Sequence, residues 1–182
     1  MNDNKKLVIW FTGLPCSGKS TIAIALKKKI LNHINLVTLL DGDELRSNLN
    51  ADLGFSKSDR DENIKRITHL TENFYNKGHL VIVATISPLQ RHRDYARNIF
   101  AENIYEIFLS TKLNTCMERD VKGHYKLANE GKIKNFTGIS SPYEKPVTPE
   151  LSLDTSKLSL DECVEKIYNL IPSRFFFKTM VF

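Results

Sequence analysis

Thiols are scarce in this chain, and the three present, Cys16, Cys116 and Cys163, are scattered along its length. Three isolated cysteines exclude a disulfide framework and a thiolate metal centre, and a reducing, cytoplasmic setting is the expectation. Long apolar runs are missing too: no stretch approaches the roughly 20 residues that a membrane-crossing helix needs. The run from Leu7 to Thr12 is cut by Gly13 rather than extended into a secretory leader. There is no internal repeat and no low-complexity tract. What is present is 182 residues, 41% of them hydrophobic. That suffices for one packed domain over 1–182 and is too apolar for a disordered tail. The 26 lysines and arginines outnumber the 21 acidic residues for a net charge of +5, a modest excess that suits anionic partners.

Five apolar runs of strand length, Leu7–Phe11, Leu36–Leu40, Leu80–Thr85, Ile104–Leu109 and Leu151–Leu153, alternate with helical stretches. Their hydrophobicity is continuous rather than alternating, the habit of parallel strands covered on both faces. Helices are predicted over Lys19–Leu31, Asp59–Lys77, Pro88–Phe100, Leu113–Asp120 and Leu158–Leu170. In the second, Ile64, Ile67, Leu70 and Phe74 form one buried stripe, and Ser159 with Glu162 forms a capping box for the last. Between Val121 and Pro149 the rhythm breaks into a polar loop. From Arg119 to Lys134 five cations stand against two carboxylates, which reads either as a solvated surface or as a cationic lid over an anion. The ending, 171–182, is rich in phenylalanine (Phe175, Phe176, Phe177, Phe182) and is expected to pack on the domain or on a partner subunit.

The segment Gly13-Leu14-Pro15-Cys16-Ser17-Gly18-Lys19-Ser20 follows a predicted strand and opens a predicted helix. It matches the phosphate-binding pattern G-x-x-x-x-G-K-[ST] in the context that the pattern requires. Its glycines let successive amide N–H groups point inward, and the helix N-terminus adds positive partial charge. Lys19 is then expected to reach the β- and γ-phosphates of ATP, and Ser20 to offer its hydroxyl to Mg²⁺, with Thr21 beside it. Pro15 removes one N–H from this cradle. The base-reading segment and switch glycine of a GTPase are not found in order, and the chain is short for a motor. A small kinase remains, in which catalysis is mainly positioning and charge neutralisation. Its acceptor side should offer a carboxylate at a neighbouring strand end, and Asp41-Gly42-Asp43 supplies two. Asp43 is the candidate to take or orient the acceptor hydroxyl's proton and to hold the magnesium water shell; the alternative for each aspartate is a helix cap near Glu44.

Four ordered segments carry a resemblance: LDGDELR (40–46), LGFSKSDRDENIKR (53–66), ISP (86–88) and RDVKGHYKLANEGKIKNFTGISSPYEKP (119–146). Together they resemble the adenylyl-sulfate kinase family, over roughly residues 5 to 170. The resemblance implies a three-layer P-loop fold with a five-stranded parallel sheet, flanking helices and a mobile lid over about 119–149. It implies transfer of the ATP γ-phosphate to the 3′-hydroxyl of adenosine 5′-phosphosulfate, giving 3′-phosphoadenylyl sulfate and ADP, in a homodimer. Carried over by position, Arg46, Arg60 and Asn63 hold the phosphosulfate and ribose, where planar guanidiniums suit a dianion. Phe55 and Phe136 clamp the adenine of the acceptor. Ile86 and Ser87 line the same pocket, Ser87 also matching a serine described in the family as phosphorylated. Lys122 matches a lid lysine on the acceptor, and Arg119 one that stacks on the ATP base.

Two alternatives stay open: another nucleotide acceptor, such as a cytidine diphosphate derivative in capsule synthesis, or a catalytically silent nucleotide sensor. Thr85 and Leu89 stand where the family has phenylalanine and tyrosine, which bears on the first. Arg91, Arg93 and Arg97 read as surface or intrahelical pairs, and Arg66 as either a solvated face or a functional group. Clustering of the excess charge in one segment argues against nucleic-acid binding.

Overall fold

The computed structural model describes residues 6–176. Five parallel strands form one sheet: β1 (Leu7–Gly13), β2 (Val37–Asp41), β3 (Leu80–Ala84), β4 (Ile104–Leu109) and β5 (Leu151–Leu153). Their spatial order is β2-β3-β1-β4-β5, with Ile9 opposite Ile82 on one side and Tyr105 on the other. Every residue of β1 and β3 is buried, which is why both read as unbroken apolar runs.

Helices cover both faces: α1 (Lys19–Ile30), α2 (Gly42–Ser47), α3 (Lys57–Asn76), α4 (Gln90–Phe100), α5 (Leu113–Glu118), α6 (His124–Asn129) and α7 (Leu160–Tyr168). The two-residue period of β1 splits its side chains between two cores. Leu7, Ile9 and Phe11 pack with Ile22, Leu26 and Ile30 of α1 and Ile167 of α7. Val8 and Trp10 pack with Ile64 and Ile67 of α3 and with Ala96 and Phe100 of α4. Each such buried aliphatic or aromatic side chain contributes about 1.5–3 kcal/mol. The Ser159–Glu162 capping box forms at the start of α7, and Ser56 with Asp59 makes a second one on α3.

Two helices lie where the sequence predicts none of that extent. The six-residue α2 buries nothing, so it has no apolar period to read. α6, inside the stretch read as loop, buries only Tyr125 and Ala128. Of the aromatic ending, Phe175 is buried and Phe176 stacks on Tyr168 at 4.7 Å; Phe177 and Phe182 lie outside the described residues. Among the described residues no helix is long and apolar enough to cross a membrane.

Candidate active site

Three strand ends converge on one cleft of about 1290 Å³. β1 delivers residues 13–18, β2 delivers Asp41 and β3 delivers Thr85 to Pro88. All lie at the carboxyl edge of the sheet, where the order of the parallel strands extends from β1 to either side. Within the phosphate loop Gly13 has φ +153° and lies against β4: a Cβ there would meet Leu109 O and Ser17 Oγ at 2.9 Å. Cys16 takes the left-handed region at φ 59°. Ser17 is fully buried, whereas Ser20 and Thr21 are exposed on the first turn of α1. Leu14 and Pro15 are half-buried, and Gly18 caps α1 at φ 101°.

Lys19 is nearly buried, and burial pulls its ammonium down to about 8. Its Nζ donates to the carbonyls of Gly13 (3.0 Å) and Leu14 (2.7 Å), both inside the loop it serves. Pro15 lacks an N–H, but its carbonyl accepts the hydroxyl of fully buried Tyr125 at 3.0 Å, tying α6 to the loop. Arg119 is held by Thr155, through Nη1 to Oγ1 and Nη2 to the carbonyl, both at 2.7 Å. Thr155 Oγ1 in turn donates to Ser17 O at 3.0 Å. The guanidinium at one end of segment 119–149 is thus anchored to the phosphate cradle.

Across the cleft the two aspartates divide their work. Asp41 is the cap of α2, its Oδ1 accepting Asp43 N–H at 2.9 Å. Asp43 is left free of that duty, with its side chain 77% exposed and its Oδ2 accepting from Lys122 Nζ at 2.8 Å. Beyond it stand Arg46 and Arg60. Arg46 Nη1 donates to the carbonyls of Leu53 (3.1 Å) and Gly54 (2.6 Å), and among the described residues its other nitrogens have no hydrogen-bond partner. Arg60 is a brace: Nε donates to Phe55 O, Nη1 to Thr137 Oγ1 and Nη2 to Asn135 O, stitching the segment of Phe55 to that of Phe136. Burial lowers the basicity of both guanidiniums, and for Arg60 the charge of Arg46 adds to it.

The Arg46 guanidinium lies 4.7 Å from the ring centre of Phe55, which is 55% exposed, so Phe55 is no core aromatic. Phe136 and Tyr125 pack edge to face with ring centres 4.9 Å apart, and Phe136 is half-buried. Asn63 is buried on α3 and its Oδ1 accepts from Asn50 Nδ2 at 3.0 Å.

Ile86 and Ser87 reach the cleft wall, but Ser87 is 1% exposed and its Oγ accepts the Trp10 indole N–H at 2.9 Å. Its backbone adopts φ 43°, held by Arg93 Nη1, which donates to Ser87 O at 2.7 Å. A serine so enclosed is poorly placed to carry a phosphoryl group.

Arg93 corrects the surface reading of that residue. It is 1% exposed, with Nε 3.0 Å from Glu106 Oε1, an ion pair lacking the angle of a hydrogen bond, and Nη2 also bonds Glu144 O. The signal lay in the stripe Leu89, Arg93, Ala96 and Phe100 at three- and four-residue steps, and in Glu106 inside an apolar strand. Arg91 pairs with Asp61 and Arg97 with Glu150, both across elements, and Arg66 pairs with Asp52 and Glu62 away from the cleft.

The adenylylsulphate kinase family model matches residues 5–154. The chain belongs to the adenylylsulphate kinase family. An adenylyl-sulfate kinase of Bacteroides thetaiotaomicron is 49% identical over 91% of this chain and 83% of its own length. One of Phocaeicola vulgatus is 50% identical over 91% and 81%. Among solved structures, the Mycobacterium tuberculosis APS kinase CysC in complex with AMPPNP and APS has a TM-score of 0.87 at 44% identity, covering 91% of this chain and 96% of that one. Adenylylsulphate kinases use ATP with Mg²⁺, and the cleft suits that pair. No cluster of three or more acidic, histidine or cysteine side chains exists among the described residues to cage a metal. Mg²⁺ asks for less: one or two protein oxygens, with phosphates and water completing its shell. The exposed Ser20 hydroxyl and the Asp43 carboxylate are oxygens that could meet that need.

Proposed function

We propose that this chain transfers the γ-phosphoryl group of ATP directly to the 3′-hydroxyl of adenosine 5′-phosphosulfate. The observation that carries the reading is the pair of opposed anion sites in one cleft. One is the amide cradle of 13–20 with Lys19; the other is Arg46 and Arg60 beside the ring of Phe55, neither guanidinium bonded to a carboxylate. A dianion with a planar base fits guanidinium and aromatic chemistry together. A silent sensor would have no use for the exposed Asp43 carboxylate facing both.

In this reading residues 13–21 hold the triphosphate and Lys19 leaves its carbonyl partners for the β- and γ-oxygens. Arg119 covers the base of ATP. Arg46 donates to the phosphosulfate, Asn63 to the ribose or anion, and Phe55 and Phe136 sandwich the adenine, with Ile86 along its edge. Asp43 receives the 3′-hydroxyl proton. Ser20, and Asp43 through water, would hold Mg²⁺, which when bound would neutralise phosphate charge. Lys122 serves the acceptor from segment 119–149, which acts as the lid of a single domain spanning 1–182. Its link to Asp43 is an exposed ion pair worth at most about 1 kcal/mol, so it exchanges readily for a substrate oxygen. Ser87 acts as a positioning residue.

A homodimer working in the cytoplasm completes the proposal. Self-association has a precedent in the Thiobacillus denitrificans APS kinase, described as hexameric, which is 29% identical with a TM-score of 0.71, the match covering 96% of this chain and 31% of that one. The test is ADP release with adenylyl sulfate, AMP and a cytidine diphosphate derivative offered in turn. Turnover is expected on the first alone; turnover confined to either of the others overturns the acceptor assignment.

A further inference from the structure

Asn50, near the acceptor end, has a fully buried polar side chain, yet it does not line the cleft. It follows α2, with its backbone N–H donating to Leu45 O at 2.9 Å and its carbonyl accepting from Leu53 N–H at 3.1 Å. Its side chain reaches α3, where Nδ2 donates to Asn63 Oδ1. Among the described residues its own Oδ1 has no partner, a buried acceptor left bare at the cost of its lost hydration.

That cost has a counterpart in polarity. An amide has one acceptor and one donor end, and a neighbour that donates to the first turns the second outward. With Oδ1 engaged, Asn63 keeps Nδ2 for the cleft, beside Arg46 and Arg60. Reversing both amides would pair Asn63 Nδ2 with Asn50 Oδ1 and present a carbonyl oxygen to an anion. Beside the guanidiniums of Arg46 and Arg60, only the first arrangement adds a further donor for a negatively charged ligand.

We propose that Asn50 is a positioning residue for the acceptor: it locks the Asn63 amide with its N–H₂ toward the cleft, so that Asn63 donates to an oxygen of the bound adenylyl sulfate. The inference rests on the function proposed above. It predicts that the sign of the hydrogen bond at position 50 matters more than its presence. Asn50→Asp puts an acceptor where a donor stood, turns Asn63 around and aims its oxygen at the ligand.

Steady-state kinetics with both substrates varied, on the full chain, test this. Asn50→Asp is expected to raise KM for adenylyl sulfate about ten- to hundredfold, the size of one charged-group hydrogen bond reversed, with KM for ATP within about twofold. Asn50→Ala, which frees the amide without reversing it, is expected to raise KM for adenylyl sulfate by less than Asn50→Asp does. In an Asn63→Ala background either substitution should add under about twofold, because no amide remains to orient. An unchanged KM in both variants overturns the proposal, as does an undiminished effect in the Asn63→Ala background. Should Asn50→Asp fail to fold, Asn50→Ala and its cycle with Asn63→Ala decide alone. A wild-type protein inactive on adenylyl sulfate would instead defeat the functional reading, so the two failures are told apart.

Discussion

At the scale of single residues the proposed chemistry turns on two neighbouring carboxylates. Asp41 and Asp43 flank one glycine; Asp43 is the sequence's candidate base, and a helix cap is the alternative for each. The structure separates them because α2 begins at Gly42: the residue before a helix caps it, and the residue inside its first turn is left to face the cleft. Asp43→Asn, which keeps the shape and removes the base, is expected to lower kcat about 10²- to 10⁴-fold with KM for ATP within about threefold, in initial-rate measurements. A variant that keeps full kcat would take the proton away from Asp43. The phosphate loop was legible because its residues are contiguous. Arg60 was legible as a candidate acceptor contact, but not as the brace that joins Phe55 to Asn135 and Thr137, partners about 75 positions away that no local pattern reveals.

Among the elements, α3 and α4 carry the polar groups that hold the acceptor wall upright. Arg93 of α4 reaches Glu106 of β4, Ser87 before α4 and Glu144 beyond α6, binding four separate segments through one buried cation. Removing one partner of a buried pair leaves the other charge uncompensated, so Arg93→Met is expected to cost about 3–5 kcal/mol in denaturant unfolding. Arg93→Met with Glu106→Leu should recover a good part of that; equal losses would mean that the pair is not the unit. Next to it His92 is buried between α4 and α3, its Nδ1 accepting from Leu89 N–H and its Nε2 2.7 Å from Asp61 Oδ1. Burial holds the imidazole below its usual 6.5, against the pull of Asp61 and helped by the charges of Arg91 and Arg60. The unfolded chain therefore binds the proton first, and this residue's contribution to stability falls as pH drops below about 6.5. His92→Gln should flatten that limb of the stability profile measured from pH 7.5 to 5.5; an unchanged slope would place its cause elsewhere. The long helices and five strands were visible as apolar periods. The short α2 and α6 were not, since a turn and a half buries too little to leave a pattern.

Over the whole molecule, the sheet order puts β1 at the centre, with β3 and β4 on either side, and the cleft opens where those neighbours diverge. Strand order is not written in any one segment; it follows from which helix packs on which face, and the parallel class alone was readable in advance. The same topology sets the two proposed anion sites against each other, one built from backbone amides and the other from guanidiniums and aromatic rings. Such an arrangement needs no covalent stop between donor and acceptor, and Ser87, enclosed by Trp10 and Arg93, offers none. The central claim is thus a single in-line displacement, and configuration at the transferred phosphorus reports on it directly. With ATP made chiral at the γ-phosphorus by oxygen isotopes and sulfur, turnover on adenylyl sulfate is predicted to give a 3′-thiophosphate of inverted configuration. Retention, the mark of two successive displacements through a phosphorylated enzyme, would contradict the account.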